Sequence, residues 1–332
     1  MSRLVVFAPN WLGDAVMALP ALADVARAAA PSGTVDVAAA SAIAPMFSLV
    51  PGLGEIVPLR RDWSDVDAIR RGGYETALLF PNSFRSAYIA RRAGISERWG
   101  FRADWRGLLL TRSVTAPIHV HQVEHYQALV RALGFPSEPA VPRLEMSART
   151  RTAAEELLEK TGWDRRAPLV AVAPGAAYGG AKRWPAASFA AVVETLASDR
   201  VRSVLVGGQG DAPAGREVLA RLGPSIDPSM RPLDLIGKTD LPALAGVLVQ
   251  CRAVVSNDSG AMHVAAALGV AVTALFGPTN EYETSPRGSG RQTVLTSPVW
   301  CRPCMLRECP LTHRCMHGIS VEAVVHAARS AG

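Results

Sequence analysis

The sequence predicts an α/β protein with two Rossmann-like halves, each with a parallel, doubly wound sheet, facing a central cleft. Short apolar runs typical of buried strands alternate with amphipathic segments typical of helices, and this alternation favours parallel sheets. The pattern starts again near residue 169, after a proline-rich connection at 136–142. Because ligands of such sheets bind beyond the carboxyl ends of the strands, we expect the site in the turns that follow them.

The first half is predicted to contain five strands and six helices. The strands are expected at 4–8, 35–39, 54–59, 76–80 and 98–101, and the helices at 15–29, 43–49, 65–71, 86–93, 122–133 and 148–161. Gly94 and Gly134 follow two of these helices and suit their C-terminal ends. Residues 113–120 are expected to be loop or extended chain.

The second half repeats the same order of elements. Its strands are expected at 169–173, 201–206, 233–236, 253–255 and 270–276, and its helices at 186–198, 214–222, 241–250, 261–268 and 320–328. Residues 301–315 look irregular. We therefore expect domains at 1–165 and 166–332, with the last helix, 320–330, a candidate to pack back on the first domain.

Composition indicates a globular protein of the cytoplasm. Apolar residues make up 49% of the 332 residues and charged residues 19%. The sequence contains no run of about 18 apolar residues, which a transmembrane helix requires. The apolar stretch at the N-terminus is too short for a signal peptide, so we expect a cytoplasmic protein.

The net charge of +6 comes from local clusters of arginine. The first cluster consists of Arg85, Arg91, Arg92, Arg98, Arg102, Arg106 and Arg112. A second group of five arginines lies between residues 284 and 315. Such clusters suit nucleic acid, anionic lipid or a phosphorylated substrate. The alternative is an ordinary solvated surface.

Residues 254–278 are predicted to form a strand, a tight turn, a helix and a second strand. The backbone N–H groups and the dipole at the start of the helix favour an anion, most often phosphate. Asp258 and Ser259 suit the N-cap, and Gly260 allows a ligand to approach the backbone. His263 follows one turn later on the same face. The alternative is an ordinary capped helix.

The turn after the first strand contains Gly13 and Asp14 instead of a GxGxxG motif. A dinucleotide pyrophosphate over this turn would meet the Asp14 carboxylate, which argues against a nicotinamide oxidoreductase. A carboxylate at this position is a candidate general base for an acceptor hydroxyl. The alternative is that Asp14 only caps its helix and complements the helix dipole.

The turn that follows the strand at 169–173 is long, rich in glycine and contains Lys182. A lysine in such a loop can reach a diphosphate and stabilise the charge that develops when the diphosphate leaves. The alternative is a surface lysine in a flexible loop.

Four of the five cysteines form a separate pattern. Cys301, Cys304, Cys309 and Cys315 have the spacing C-x2-C-x4-C-x5-C, whereas Cys251 lies in an apolar segment and is expected in the core. The first spacing fits a structural zinc or iron–sulfur site, but the later spacings match such sites poorly. A structural metal and four reduced thiols both remain open.

Three motifs in order resemble the bacterial heptosyltransferases of lipopolysaccharide core assembly. They are NWLGDAVMALPAL at 10–22, PGAAYGGAKRWP at 174–185 and NDSGAMHVAAALGVAVTALFGPT at 257–279. The stretch FPNSFRSA at 80–87 and the cysteine segment also fit this family. The resemblance covers nearly the whole chain.

The resemblance implies a GT-B fold, an inverting mechanism and no cofactor or metal required for catalysis. It makes Asp14 the base for the acceptor hydroxyl, with Gly13 beside it, and Lys182 a contact to the phosphates of ADP-heptose. The residues that it assigns to the sugar, the diphosphate and the nucleotide are Asp258, Ser259, Gly260, His263, Thr239 and Asp211. One departure is Ala176-Ala177, where related enzymes carry hydroxyl residues, so backbone N–H groups would contact phosphate there.

We therefore expect transfer of L-glycero-D-manno-heptose from ADP-heptose to the inner-core heptose of lipid-linked lipopolysaccharide at the inner membrane surface. The first domain would bind the acceptor and the second ADP-heptose, with no nucleic acid as partner. One alternative is a family member acting on an acceptor without heptose, or another nucleotide-sugar enzyme such as an epimerase. A second alternative is a regulator that binds nucleic acid or a metal cluster.

Overall fold

The computed structural model describes residues 3–103 and 105–330. The chain divides into two compact units, Met1–Glu145 and Met146–Gly332. Each unit contains one sheet of six strands, and all neighbouring strands within each sheet run parallel. The prediction of an α/β protein with parallel, doubly wound sheets is therefore confirmed.

The first sheet has the order β3-β2-β1-β4-β5-β6. Its strands are β1 (Leu4–Phe7), β2 (Val35–Ala40), β3 (Leu53–Leu59), β4 (Thr76–Leu79), β5 (Glu97–Phe101) and β6 (Arg112–Val114). The order reverses between β1 and β4, so the turns that follow these two strands lie at a topological switch point. The central strands β1 and β4 are fully buried.

The helices of the first unit cover the faces of this sheet. They are α1 (Leu12–Met17), α2 (Leu19–Ala29), α3 (Ser64–Arg71), α4 (Phe84–Arg92) and α5 (Gln122–Ala132). The single helix predicted at 15–29 is two helices, because Pro20 lacks the N–H that a continuous helix needs. The helix predicted at 43–49 is a short 3-10 helix, Ala44–Leu49.

The second sheet has the order β12-β11-β10-β7-β8-β9. Its strands are β7 (Leu169–Ala173), β8 (Arg202–Leu205), β9 (Leu233–Asp234), β10 (Cys251–Asn257), β11 (Ala271–Phe276) and β12 (Gln292–Thr296). The switch point of this sheet lies between β7 and β10, which are hydrogen-bonded neighbours.

Eight helices of the second unit are described. They are α6 (Ala148–Lys160), α7 (Ala186–Ser198), α8 (Ala212–Ala220), α9 (Leu241–Val249), α10 (Gly260–Ala267), α11 (Glu281–Thr284), α12 (Arg314–His317) and α13 (Val321–Arg329). The last helix, α13, packs on α7 and on β10, β11 and β12 of its own unit.

The division between the units lies at 145/146, whereas the sequence placed the domain boundary at 165/166. Helix α6 accounts for the difference, because it packs against α9 of the second unit. Gly246 permits this close approach, since a Cβ at Gly246 would lie 2.6 Å from the Cβ of Ala154.

Strands β6 and β12 were not predicted. Both lie at an edge of their sheet and are only partly buried. They therefore lack the continuous apolar run by which a central parallel strand is recognised. Within the described ranges, no helix is both long and apolar enough to cross a membrane.

Candidate functional site

Three loops converge at the carboxyl edge of the second sheet. Lys182 ends a short 3-10 helix in the loop after β7, Asp258 follows β10, and Thr279 lies in the turn after β11. Since β7, β10 and β11 are adjacent and parallel, these turns lie on one edge. The residues therefore meet at the switch point, where ligands of doubly wound sheets bind.

An ion pair joins two of these loops. The Lys182 ammonium lies 2.6 Å from Asp258 Oδ2, and the Thr279 hydroxyl donates to the same oxygen at 2.7 Å. The Lys182 side chain is 13% exposed and that of Asp258 is 7% exposed. Because water is largely excluded, removing one partner of such a pair costs about 3–5 kcal/mol. Lys182 is therefore held in place by the strand end beside it.

The ring of Tyr178 provides a second contact to this lysine. The Lys182 ammonium stands over the ring, 4.8 Å from its centroid. Lys182 is therefore bound by a carboxylate and by an aromatic face, and the alternative of a surface lysine in a flexible loop does not describe it.

The N-terminus of α10 begins directly after Asp258. Ser259 is the N-cap residue, and its hydroxyl shares a hydrogen bond of 3.0 Å with the hydroxyl of Ser256. The Ser259 side chain makes no capping hydrogen bond to the backbone of α10. Ser259 and Gly260 are partly exposed, whereas His263 is buried one turn further along. Backbone N–H groups at the start of α10 can therefore receive an anion.

Asn257 is a site residue to which the sequence motif gave no role. Its amide donates to the carbonyls of Pro174 at 2.8 Å and Gly175 at 3.3 Å, and its Oδ1 accepts from the Trp184 N–H at 3.1 Å. The side chain is fully buried. Asn257 thus ties both ends of the loop that carries Lys182 to the end of β10. The only signal in the sequence for this role was its position at the end of an apolar run, directly before Asp258.

Asp211 and Thr239 lie on the turns that follow the neighbouring strands β8 and β9. Asp211 Oδ2 accepts from the Gly208 N–H at 2.9 Å, and a Cβ at Gly175 would overlap the Asp211 carboxylate. Thr239 is half-buried, in a turn that packs against residue 209 through Gly237. The structure therefore groups Asp211 and Thr239 with the loops after β7 and β8.

Gly13 and Asp14 belong to the first unit, at its switch point. Asp14 is the third residue of α1, and Trp11 is the N-cap, so Asp14 is not the capping residue itself. It is half-buried and lies near Tyr126 of α5. Burial raises the pKa of Tyr126 well above its ordinary value, and the Asp14 carboxylate adds to the shift. Tyr126 therefore stays a neutral neighbour of Asp14 at physiological pH.

A small cavity lies beyond the ends of β1 and β4 in the first unit. It has a volume of about 110 Å³, and its lining includes Asn10, Arg61, Ser83 and Arg85. The Arg85 guanidinium donates to Asp65 at 3.0 Å, which holds it at this edge. The lining also includes the Asp65 carboxylate, which offsets the charge of Arg85, so Arg61 supplies the positive charge that suits an anionic ligand.

Two arginines of the first cluster have structural roles. Arg106 is fully buried, and its guanidinium donates to the carbonyls of Phe101 and Pro81. Arg98 donates to the carbonyls of Leu109 and Ile95. The cluster is therefore not one uniform surface for an acidic partner, because these two guanidinium groups hold loops together.

The four cysteines of the C-terminal segment line one cavity of about 280 Å³. All are free thiols, and burial raises the pKa of Cys315, with the neighbouring cysteines adding to the shift. Among the residues described, no three His, Cys, Asp or Glu side chains are grouped so as to hold a metal ion. A structural metal at Cys301, Cys304, Cys309 and Cys315 stays a prediction.

Comparison with known proteins agrees with this fold. The sequence model of glycosyltransferase family 9 (heptosyltransferase) matches residues 64–314. Lipopolysaccharide heptosyltransferase 2 of Escherichia coli is 31% identical over 302 residues, which cover 86% of this chain and 85% of that protein. Lipopolysaccharide heptosyltransferase 1 of Pseudomonas aeruginosa is 27% identical over 92% of this chain and 87% of its own.

A solved structure matches both units. The structure of E. coli ADP-heptose lps heptosyltransferase II has a TM-score of 0.85 and 28% identity, covering 99% of this chain and 98% of that chain. The chain belongs to glycosyltransferase family 9, the heptosyltransferases, and is a glycosyltransferase. The predicted GT-B fold is confirmed.

Asn257→Ala tests how the Lys182 loop is attached. The substitution removes three buried hydrogen bonds and leaves the Trp184 N–H and the Pro174 carbonyl without that partner. We expect the free energy of unfolding, measured by urea titration, to fall by about 2–4 kcal/mol.

The matched control is Asn280→Ala, which removes the partly exposed N-cap of α11. It should cost about 1 kcal/mol. Equal losses in the two variants would contradict the assigned role of Asn257.

Proposed function

We propose that the protein is a heptosyltransferase II, which transfers L-glycero-D-manno-heptose from ADP-heptose to the inner-core heptose of lipopolysaccharide with inversion. The observation that carries this proposal is the Lys182–Asp258 pair beside the start of α10, at the switch point of the second sheet. A cation and backbone N–H groups converge there, as a leaving nucleotide diphosphate requires. The similarity to relatives named heptosyltransferase 2 supports the sugar and the acceptor.

The donor side of the site is assigned to the second unit. Ser259 and Gly260 present backbone N–H groups to the diphosphate, and Lys182 adds a positive charge. Asp258 uses Oδ2 for Lys182 and Thr279, so we assign Oδ1 to hydroxyls of the sugar. The remaining contacts of the predicted set are His263 near the sugar and diphosphate, and Asp211 and Thr239 on the nucleotide.

The acceptor side is assigned to the first unit, with Asp14 as general base. The acceptor hydroxyl oxygen attacks the anomeric carbon of the heptose while the bond from that carbon to the phosphate oxygen breaks. The bonding electrons leave with ADP, and the hydroxyl proton moves to the Asp14 carboxylate. This displacement inverts the configuration at the anomeric carbon. Gly13 has no side chain, so it does not obstruct the approach of the acceptor to the Asp14 carboxylate.

Protein groups supply the charge stabilisation in this mechanism, so we propose no metal or other cofactor for catalysis. Lys182 and the dipole of α10 act on the diphosphate where a metal ion acts in other transferases. A metal held by the four cysteines would be structural, and metal analysis of the purified protein tests for it.

The acceptor is proposed to be lipid-linked, and the protein to act in the cytoplasm at the inner face of the inner membrane. Trp63 directly precedes α3, Phe84 is the first residue of α4, and both side chains are exposed. Phe84 is flanked in the sequence by Ser83 and Arg85, which line the cavity. Aromatic and basic side chains together suit the boundary of an anionic membrane. Nucleic acid is not proposed as a partner.

A heptosyltransferase I is the second candidate, because a relative of that name is 27% identical over most of the chain. Purified protein should transfer heptose from ADP-heptose to an acceptor that already carries one heptose, and leave a heptose-free acceptor unchanged. Mass spectrometry of the two reactions measures the product. Transfer only to the heptose-free acceptor would establish the second candidate, and no transfer to either would refute the proposal.

Asp14→Asn tests the general base. The amide cannot take the proton, so the turnover number should fall by about 10²- to 10⁴-fold, while the dissociation constant of ADP stays unchanged. Asp67→Asn is the control, because it removes a carboxylate from an exposed position on α3. Full turnover by Asp14→Asn would show that Asp14 is not the base.

A further inference from the structure

The diphosphate site has a deficit of positive charge. Lys182 is paired with Asp258 at 2.6 Å, which offsets part of its positive charge, and the start of α10 contributes only about half an elementary charge. A nucleotide diphosphate carries negative charge on both phosphates and gains more as the sugar leaves. Ala176 and Ala177 offer no side-chain hydroxyl to it. Another cation near Lys182 would make up this deficit.

The cysteine segment, residues 301–315, lies against the loop that carries Lys182. The N–H of Ala181 donates to the carbonyl of Arg307 at 3.0 Å, and the N–H of Gly180 donates to the Glu308 carboxylate at 3.1 Å. The Tyr178 hydroxyl donates to the carbonyl of Met305 at 3.0 Å. The backbone of Arg307 is therefore fixed directly against this loop.

The same segment is also attached to the turn after β11. The N–H of Met305 donates to the carbonyl of Pro278 at 2.9 Å, and Arg302 donates to the carbonyl of Gly277 at 2.6 Å. The Arg302 guanidinium is therefore engaged within the protein, because it also forms an ion pair with Glu281 at 2.8 Å. The segment thus bridges the two loops that flank Asp258, and its position does not depend on one contact.

Arg307 and Lys182 share one aromatic ring. The Arg307 guanidinium carbon lies 5.1 Å from the centroid of the Tyr178 ring, and the Lys182 ammonium lies 4.8 Å from it. The two cations are therefore no more than about 10 Å apart. The Arg307 side chain is exposed, and no carboxylate in the described part of the chain forms an ion pair with it.

We propose that Arg307 is a second cation for the diphosphate of the donor, held beside Lys182 by the Tyr178 ring. Its planar guanidinium can bind two phosphate oxygens through a fixed pair of parallel N–H donors, a geometry that a lysine ammonium lacks. Arg307 then supplies positive charge in place of the part of the Lys182 charge that Asp258 offsets. This inference rests on the proposed function only in that the donor is a sugar linked to a nucleotide diphosphate.

Calorimetric titration with ADP and with adenosine tests the role of Arg307. Arg307→Gln should weaken ADP binding about 10-fold or more, since the charge-assisted hydrogen bonds to phosphate are lost, and should leave adenosine binding unchanged. Arg307→Lys should recover part of the loss, and the effect of Arg307→Gln should shrink in high salt.

Arg166→Gln is the matched control. Arg166 is exposed and precedes β7, so it lies at the opposite, amino edge of the sheet, and its loss removes the same charge. Unchanged ADP binding by Arg307→Gln, or equal weakening in the control, would overturn the inference while leaving the proposed function intact. A wild-type protein that binds no ADP would overturn the proposed donor and this inference with it.

Discussion

The ion pair between Lys182 and Asp258 is the interaction on which the candidate donor site depends. It crosses from the loop after β7 to the end of β10, the two strands between which the order of the second sheet reverses. Nearly buried charges are costly unless they are paired and hydrogen-bonded. Thr279 adds a hydrogen bond to the shared Asp258 oxygen, and Asn257 holds the loop so that Lys182 reaches it.

This pair also determines how strongly the site attracts an anion. A lysine paired with a carboxylate contributes less net charge than an unpaired lysine, so the pair fixes geometry as well as attracting the anion. The start of α10 then has to provide part of the attraction through backbone groups that need no reorganisation when the ligand binds. Such a site suits the donor that we propose, a nucleotide sugar with both phosphate oxygens and hydroxyl groups.

Much of the fold could be predicted, because buried parallel strands and their following turns leave a strong pattern in the sequence. The edge strands β6 and β12 were missed because partly exposed strands lack that pattern. The boundary between the units was displaced because the packing of α6 on α9 is a tertiary contact that no local pattern reports.

The candidate site could be predicted only in part. Lys182 and Asp258 were recognised separately from their motifs, but their direct contact follows from the order of the strands in the sheet. Asn257 was missed because its three partners are 73 to 83 residues away in sequence. Arg98 and Arg106 were assigned with the other arginines, since a sequence does not show which guanidinium groups bind backbone carbonyls.

A double-mutant cycle on ADP affinity tests most directly whether the ion pair organises the donor site. Lys182→Met, Asp258→Asn and the double variant would be titrated with ADP and compared with the wild type. If the pair acts as one unit, the double variant loses little more affinity than the weaker-binding single variant, with a coupling energy of about 1–3 kcal/mol. Losses that simply add, within about 0.5 kcal/mol, would contradict that role of the pair.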